Sequence, residues 1–302
     1  MFESMKKYMK VGLIHFMAYP FAMGGEGDVE RTIRRILEDD YFDCIEVTHI
    51  AAPTVRERIR ELAAQSGIAM VYGAQPQLMR NQENVNSLDE ALRTRAVARM
   101  KRCIEEAYAL GCEGIAYLAG SYEEQTEEES YRQLLRSTRE LCAHAKAHGG
   151  LAVHLEIFDY DIEKRSLIGP AALAARFAGE ISAEFDNFGL MSDLSHIPQL
   201  HETIDESIDP IVPYLRHAHI GNCVLKAGAP AYGDQHPRFG FPSGENGVDE
   251  LAAFLRKLID VGYLTPEQPR IVSFEVKPWG GEDPEMVIAN AKRYLNRAWA
   301  LV

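Results

Sequence analysis

The chain has 302 residues, of which 46% are hydrophobic and 25% are charged. This apolar content can bury a core large enough to offset the conformational entropy of folding, which excludes an intrinsically disordered chain. The formal net charge is -13, from 32 Lys and Arg residues against 45 Asp and Glu residues. Binding to a phosphate backbone depends on basic patches that displace counterions, so we expect no nucleic acid partner.

Five cysteines are spread along the chain, and no two of them form a CxxC pair. This pattern is typical of reduced cysteines in a cytoplasmic protein. The chain has no run of 18 apolar residues, and its N-terminal segment lacks the apolar stretch and small-residue cleavage site of a secretory signal. We therefore expect a cytoplasmic protein without a membrane partner.

Eight short β-type runs alternate with longer amphipathic patterns along the chain. The runs are Val11–Phe16, Cys44–Thr48, Ile68–Tyr72, Gly114–Leu118, Ala152–Ile157, Gly189–Leu194, Leu215–Ile220 and Ile271–Val276. The amphipathic patterns predict helices over 28–39, 54–66, 87–110, 126–148, 170–179, 201–212, 248–261 and 283–300. Thr54 with Glu57 and Ser87 with Glu90 have the spacing of capping boxes at helix starts.

Strict alternation of eight strands with eight helices is typical of a (β/α)8 TIM barrel, with a doubly wound open sheet as the rival fold. No GxGxxG or GxxxxGK[ST] motif follows the first strand, which counts against a nucleotide-binding open sheet. The strands are nearly continuous apolar runs, as expected when both faces are covered. We predict an α/β protein with a single TIM-barrel domain over residues 1–302.

The longest irregular stretch spans residues 221–247, between the seventh strand and its helix. Loops of this length in compact domains are usually functional. In a TIM barrel a loop that follows a strand lies at the end of the barrel where active sites form. We therefore expect residues 221–247 to be an active-site loop.

Polar side chains recur at the carboxyl ends of the last four predicted strands. Glu156, Asp193, His219 and Glu275 end the fifth, sixth, seventh and eighth strands in turn. An ionised carboxylate within an apolar strand costs several kcal/mol unless a cation compensates it. Three carboxylates with one imidazole suit Mn²⁺, Mg²⁺ or Co²⁺, whereas the absence of cysteine disfavours structural Zn²⁺. These residues predict one divalent metal site, with Mn²⁺ as the first choice.

The order Glu, Asp-x-x-His, His and Glu at the ends of strands five to eight resembles the xylose isomerase-like TIM barrels. This superfamily contains sugar isomerases, ketose 3-epimerases and endonuclease IV, and the resemblance extends from GLIHF at strand one to FEVKPW at strand eight. It implies that Glu156, Asp193, His219 and Glu275 are metal ligands and that His196 contacts the substrate. By resemblance to the 3-epimerases, Glu156 and Glu275 serve as base and acid on opposite faces of the sugar.

Two positions depart from the 3-epimerase pattern. Leu225 stands where those enzymes have an arginine six residues after the metal histidine, and Arg238 in the long loop is the candidate substitute. Ile162 stands where they have a substrate-binding glutamate, with Glu163 among the acidic residues nearby. The endonuclease branch needs additional histidines and a basic face, and the acidic charge of this chain speaks against it.

His154 lies two positions before Glu156 on the same predicted strand, so the two side chains project to the same side. An imidazole there predicts a catalytic base near neutral pH that is separate from the metal carboxylates. Such a base fits a second group that the chain resembles, the catalytic subunits of C-glycoside deglycosidases. Those subunits eliminate the aglycone from a 3-oxo-glucoside, and the resemblance implies a small second subunit.

Three further residues near strand ends are candidates for substrate binding. They are His15 after the first strand, Glu46 in the second and Lys277 after the eighth. Lys277 is also a candidate to neutralise one of the metal carboxylates.

Together these features predict a divalent-metal-dependent isomerase or epimerase that acts on a non-phosphorylated keto sugar. The chemistry is proton abstraction next to a carbonyl, with a metal-stabilised enediolate. The alternatives are a deglycosidase lyase acting on a 3-oxo-glucoside and a non-catalytic sugar-binding subunit. We expect a homo-oligomer, or a hetero-oligomer with a small second subunit if the protein is a deglycosidase.

Overall fold

Eight parallel strands form a closed barrel in the computed structural model, which describes residues 3–302. The strands pair in chain order, and the eighth closes the sheet against the first. They are β1 (Met9–Ile14), β2 (Cys44–Val47), β3 (Ala69–Gly73), β4 (Gly114–Leu118), β5 (Ala152–Glu156), β6 (Phe188–Asp193), β7 (Leu215–Gly221) and β8 (Arg270–Glu275). The predicted (β/α)8 barrel is confirmed, and the open sheet is excluded. Two residues of the predicted domain 1–302, at its start, lie outside the described residues.

Helices follow every strand. They are α1 (His15–Ala18), α2 (Val29–Leu37), α3 (Pro53–Ser66), α4 (Gln75–Arg80), α5 (Glu90–Leu110), α6 (Glu127–His148), α7 (Ala171–Ser182), α8 (His196–Gln199), α9 (Ile204–Ile208), α10 (Val248–Asp260) and α11 (Pro284–Leu301). The short helices α1, α4 and α8 directly follow β1, β3 and β6. They were not predicted, since helices of four to six residues are too short to show an amphipathic period.

Several element boundaries differ from the predicted ones. Strand β1 ends at Ile14, so His15 begins a helix instead of continuing the strand. Helix α3 starts with Pro53 in its first turn and has no side-chain cap, and Asp89 rather than Ser87 caps α5. Both predicted capping boxes are therefore wrong. The predicted helix 201–212 consists of α9 followed by a separate 3-10 turn.

The main hydrophobic core lies between the barrel and its helices, while the barrel interior holds a smaller apolar cluster. That cluster consists of Cys44, Ala69 and Val71, with the half-buried Ile271 packed against it. Gly12 belongs to the same interior, because a Cβ there would stand 2.1 Å from the Ser273 Oγ atom. Little of the interior is apolar, which leaves space for the polar side chains described below.

Residues 222–247 connect β7 to α10 and fold back over the C-terminal end of the barrel. The Lys277 amide donates to the His236 carbonyl at 2.7 Å, and the Asn246 amide group donates to the carbonyls of Leu194 and Gly221. His236 itself has a positive φ of 49°, a conformation that its tight surroundings must hold in place. The loop thus has defined contacts with three strand ends.

No helix within residues 3–302 is long and apolar enough to span a membrane. All five cysteines are buried and free.

Candidate active site

Four buried side chains at the C-terminal ends of β5 to β8 converge on one point. Ligand atoms of Glu156, Asp193, His219 and Glu275 all lie within 4.8 Å of one another. The Nδ1 atom of His219 is 3.2 Å from Oε1 of Glu156 and 2.9 Å from Oε2 of Glu275. The four residues that the sequence singled out as metal ligands are therefore brought together by the fold.

The donor atoms of this cluster fit a divalent cation. Oδ2 of Asp193 and Oε2 of Glu275 are buried and accept no hydrogen bond of good geometry from the described residues, although His219 Nδ1 lies 2.9 Å from the Glu275 oxygen. Burial, reinforced by the Glu275 carboxylate, raises the pKa of Asp193 to about 6. Ligand atoms around an ion at about 2.1 Å stand roughly 3 Å apart, close to the separations seen here.

Glu46 on β2 holds the far side of the His219 ring. Its Oε1 atom lies 3.1 Å from His219 Nε2 and 2.7 Å from His217 Nε2. Burial opposes ionisation of Glu46, but the two imidazoles outweigh it and hold its pKa well below the usual range. This contact leaves Nδ1 of His219 free for the cluster, in the way that carboxylates orient metal-binding histidines.

A cavity of about 200 Å³ lies beside the cluster. Its lining includes Glu46, Glu156, His219 and Glu275, together with residues of α1, α4 and the loops after β5 and β7. Its apolar lining residues include Met79, Phe158 and a cluster that we call the apolar wall, namely Ile14, Phe16, Met17 and Met23. The charged and amide side chains of the loops after β5, β7 and β8 form the part of the lining that we call the polar wall.

The polar wall carries two lysines. Lys164 Nζ lies 2.8 Å from Asp234 Oδ2 and 3.1 Å from Glu163 Oε1. Burial alone would lower the pKa of Lys164, but these two carboxylates raise it above the usual range. Lys277 Nζ donates to Oε1 of Gln235 at 2.9 Å, and burial together with the Lys164 ammonium lowers the pKa of Lys277. Lys277 is thus the amine that remains available to a ligand.

Gln75 connects helix α4 to the cluster. Its Nε2 atom donates to Oε2 of Glu156 at 2.7 Å. Its Oε1 atom is buried and, within the described residues, has no hydrogen-bond donor. The amide therefore fixes the Glu156 carboxylate and offers an acceptor to a hydroxyl in the cavity.

A buried network behind the polar wall joins the long loop to β6. Oδ1 of Asp234 lies 2.8 Å from His236 Nε2 and 3.1 Å from His196 Nε2, and His196 Nδ1 is 2.8 Å from the Ile157 carbonyl. Burial lowers the basicity of His196, but the Asp234 carboxylate outweighs it and raises the pKa of His196 to about 10. His196, a predicted substrate contact, thus lies behind the cavity wall and contacts it through Asp234.

Besides His196, three other residues predicted to act in catalysis or substrate binding do not line this cavity. His154 lies deeper in the barrel, where its ring neighbours His217 at 5.8 Å between centroids, and it lines a separate cavity at the opposite end. Successive inward residues of a strand occupy successive layers, so sharing a side with Glu156 does not bring His154 to the same depth. His15 begins helix α1, and its Nε2 atom lies 2.8 Å from the Thr32 hydroxyl oxygen. Arg238 donates from Nε to Oε1 of Glu282 at 2.8 Å.

Sequence analysis missed several residues of the site. Asp234, Gln235, His236 and Lys164 received no individual prediction. All of them lie in loops, where no periodicity relates a residue to the strand ends. The sequence does contain one indication that Glu163 belongs to the site. Glu163 lies one residue after Ile162, which stands where the 3-epimerases have a substrate-binding glutamate.

Comparison with known proteins identifies the family of this chain. The profile of the family described as xylose isomerase-like TIM barrel matches residues 35–297. A D-psicose 3-epimerase from Clostridium cellulolyticum H10, solved with D-tagatose, is 19% identical, with a TM-score of 0.69 over 97% of this chain and 99% of that one. A 3-keto-D-glucoside 4-epimerase from E. coli is 17% identical, with a TM-score of 0.69 over 95% of this chain and 99% of that one.

An L-ribulose 3-epimerase is 18% identical, with a TM-score of 0.69 over 97% of this chain and 96% of that one. No curated protein matches the chain by sequence. At these identities the solved structures share the fold, while the profile match covers most of the sequence. The chain belongs to the xylose isomerase-like TIM barrel family.

Proposed function

We propose that the protein is a divalent-metal-dependent epimerase or isomerase that acts on a non-phosphorylated keto sugar. The observation that carries the proposal is the convergence of Glu156, Asp193, His219 and Glu275 within 4.8 Å beside a cavity. Two buried carboxylate oxygens of this set, Asp193 Oδ2 and Glu275 Oε2, accept no hydrogen bond of good geometry within residues 3–302. Mn²⁺ is the preferred ion, because oxygen-rich sites with one imidazole suit it.

The carboxylates at the ends of β5 and β8 are the candidates for proton transfer. A bound cation would supply Lewis-acid stabilisation of the negative charge that develops on the substrate oxygens. Glu156 takes the proton from the carbon next to the carbonyl, with its carboxylate held by Gln75. Glu275 returns a proton to the opposite face, so the reaction inverts the carbon and needs no external oxidant or reductant. His154 is not used, because it does not line this cavity.

The charge of the cavity supports an unphosphorylated substrate. Its lining residues include the five carboxylates Glu46, Glu156, Glu163, Asp234 and Glu275, against the three cations Arg80, Lys164 and Lys277. Lys164 is already paired with two of those carboxylates. A phosphate group would therefore meet an acidic wall. The volume of about 200 Å³ lies below the range of about 300–1,000 Å³ that holds drug-sized ligands, and it suits one sugar ring.

A 3-oxo-glucoside is the second candidate substrate, and the apolar wall favours it. Phe16, Met17 and Met23 form part of this wall, and Met79 at its edge is 43% exposed. An apolar aglycone can lie against them while the oxidised sugar reaches the metal cluster. Proton abstraction next to the ketone then leads to elimination of the aglycone, with a carboxylate rather than His154 as the base.

The test is to offer the Mn²⁺-loaded protein D-tagatose, D-fructose and a 3-oxo-C-glycoside in deuterated water. We expect inversion at C3 of a ketose with deuterium incorporated at that carbon, detected by proton NMR. Glu156→Gln and Glu275→Gln should each lower the rate at least 100-fold. Glu267→Gln, an exposed glutamate without a hydrogen bond or ion pair within the described residues, is the matched control and should keep the rate.

Other outcomes of this experiment are equally specific. Release of free aglycone from the 3-oxo-C-glycoside would establish the lyase in place of the epimerase. Sugar binding without proton exchange, unaltered by Glu156→Gln, would contradict both and favour a non-catalytic sugar-binding subunit.

A further inference from the structure

A second cavity lies at the opposite end of the barrel from the candidate active site. It has a volume of about 340 Å³ and is lined by residues at the starts of the strands. Lys10 of β1, Gly114 of β4, Ala152 of β5 and Arg270 of β8 are among them. The N-terminal end of this barrel therefore has a recess, and Val71 and Ile271 of the interior apolar cluster are part of its lining.

Positive charge concentrates around this opening. Lys10, Arg216 and Arg270 line it together with one carboxylate, Glu113, and none of the three cations forms an ion pair within residues 3–302. Both guanidinium groups donate to the Leu215 carbonyl, at 3.0 Å from Arg216 and 3.1 Å from Arg270, which brings them side by side. Burial and the nearby Arg270 lower the pKa of Arg216. In a chain with a net charge of -13, three unpaired cations around one cavity require an explanation.

The backbone is shaped to place Arg216 there. A bulge interrupts the pairing of β6 with β7, so that Leu190 pairs with Leu215, Met191 pairs with His217, and Arg216 is skipped. Such bulges redirect a side chain. Gly189 supplies the space, because a Cβ at that position would stand 2.2 Å from Cγ of Arg216. A bulge and a glycine thus combine to bring an arginine to the cavity.

Two buried imidazoles line the same cavity. The Nδ1 atoms of His154 and His217 have no hydrogen-bond partner among the described residues. The two residues are only 7% and 1% exposed. Unpaired buried polar atoms are costly, so native proteins normally satisfy them with water or a ligand. Both nitrogens are consistent with a polar occupant.

We propose that this cavity is a binding site for a phosphate group, either free or at the end of a small phosphomonoester. Guanidinium groups bind phosphate oxygens through charge-assisted hydrogen bonds, and Lys10 adds a third positive charge. A monohydrogen phosphate also carries a hydroxyl that can donate to an imidazole nitrogen. The cavity is larger than a phosphate ion, which leaves room for a small organic substituent.

The site is connected to the candidate metal cluster by hydrogen bonds. His217 lines the cavity with one face, and its Nε2 atom is 2.7 Å from Glu46 Oε1. Glu46 in turn lies 3.1 Å from His219 Nε2. An occupant that contacts His217 therefore stands two side-chain contacts away from a predicted metal ligand.

Isothermal titration of the full chain with inorganic phosphate and with glycerol 3-phosphate, at matched ionic strength, tests the proposal. We expect saturable binding that weakens at least tenfold in the double variant Arg216→Gln, Arg270→Gln and less in Lys10→Gln. Arg293→Gln, an exposed arginine without an ion pair in the described chain, is the matched control. Tighter binding of one ligand identifies the source of the phosphate group.

Two further measurements keep the result specific. Asp193→Asn, which lies outside the contacts of His217 and Glu46, should leave phosphate binding intact, which separates this cavity from the active site and makes the test independent of the proposed enzymatic function. Circular dichroism establishes that each variant is folded, and Lys10→Gln replaces the double variant if that variant unfolds. Absence of binding to the unmodified chain, or equal affinity in the double variant and the control, would overturn the proposal.

Discussion

Glu46 is the residue whose role the structure clarifies most. The sequence suggests a substrate contact, whereas the structure places its carboxylate against Nε2 of His219. In metal centres of this kind the carboxylate raises the basicity of the histidine and fixes its orientation, and its loss costs about 10- to 100-fold in metal affinity. Glu46→Gln should therefore weaken Mn²⁺ binding by that factor, measured by electron paramagnetic resonance. The same affinity in Glu46→Gln and Glu267→Gln would contradict this role.

His154 provides a direct comparison between the two predicted mechanisms. Because it lies away from the cavity beside the cluster, His154→Gln should keep kcat within about threefold, although lost packing and polar contacts cost about 1–3 kcal/mol of stability. Steady-state turnover of the substrate identified above is the measurement. A 100-fold fall in kcat with a folded variant would return His154 to the role of catalytic base.

His15 should affect the pH dependence of stability rather than catalysis. Complete burial lowers the pKa of His15 to about 3, while the unfolded chain has an ordinary value near 6.5. The neutral ring stabilises the fold above pH 6.5, and this contribution is lost as the pH falls toward 3, because the unfolded state then binds the extra proton. Relative to His15→Gln, the free energy of unfolding should decrease by about 1.4 kcal/mol per pH unit between pH 6 and 4. Urea unfolding of both proteins at several pH values measures this difference. If the free energy of unfolding of the two proteins changes in parallel with pH, His15 does not titrate in this way.

Among the elements, β7 has the strictest backbone requirement at the site. Gly221 ends this strand, and a Cβ there would stand 2.6 Å from the Glu275 carbonyl oxygen. Gly221→Ala should therefore separate β7 from β8, lower stability by about 1–3 kcal/mol, and weaken Mn²⁺ binding as Glu275 moves. Gly281→Ala is the matched control, because nothing lies within 4 Å of its Cβ position. Equal urea midpoints for the two variants would show that the strand end tolerates the added methyl group.

The elements also show how far the sequence predicts the structure. All eight strands are recognisable, because apolar β-type runs bounded by helical patterns are strong signals. The end of β1 cannot be recognised from the sequence, because the apolar run continues through Phe16 although the strand stops at Ile14. This shift of two residues moves His15 out of the strand-end position on which its predicted role depended. Strand ends carry the function here, and they are the part of an element that periodicity defines least.

At the scale of the whole molecule, the candidate site is predictable where the strands supply it. Glu156, Asp193, His219 and Glu275 follow from strand order alone, because parallel strands in a barrel end at one rim. Asp234 and Lys164 come from different loops and meet at 2.8 Å only after the barrel has closed. No spacing in the chain encodes that contact. The same holds for the N-terminal cavity, where a bulge sets the position of Arg216.

The two ends of the barrel carry opposite local charge. At the C-terminal end the buried carboxylates Glu156, Asp193 and Glu275 support the proposed cation site, and at the N-terminal end Lys10, Arg216 and Arg270 support the proposed anion site. We still expect a homo-oligomer, or a complex with a small second subunit if the lyase activity is found. Light scattering after size-exclusion chromatography measures this, and a strictly monomeric mass for the purified chain would contradict it.

Mn²⁺ titration of the metal-depleted chain, followed by electron paramagnetic resonance, tests the central claim most directly. The account predicts one tightly bound ion per chain and its loss in the double variant Asp193→Asn, His219→Gln, with Glu267→Gln unchanged. Failure of the unmodified chain to bind Mn²⁺, or equal binding by the folded double variant, would contradict the proposed metal centre.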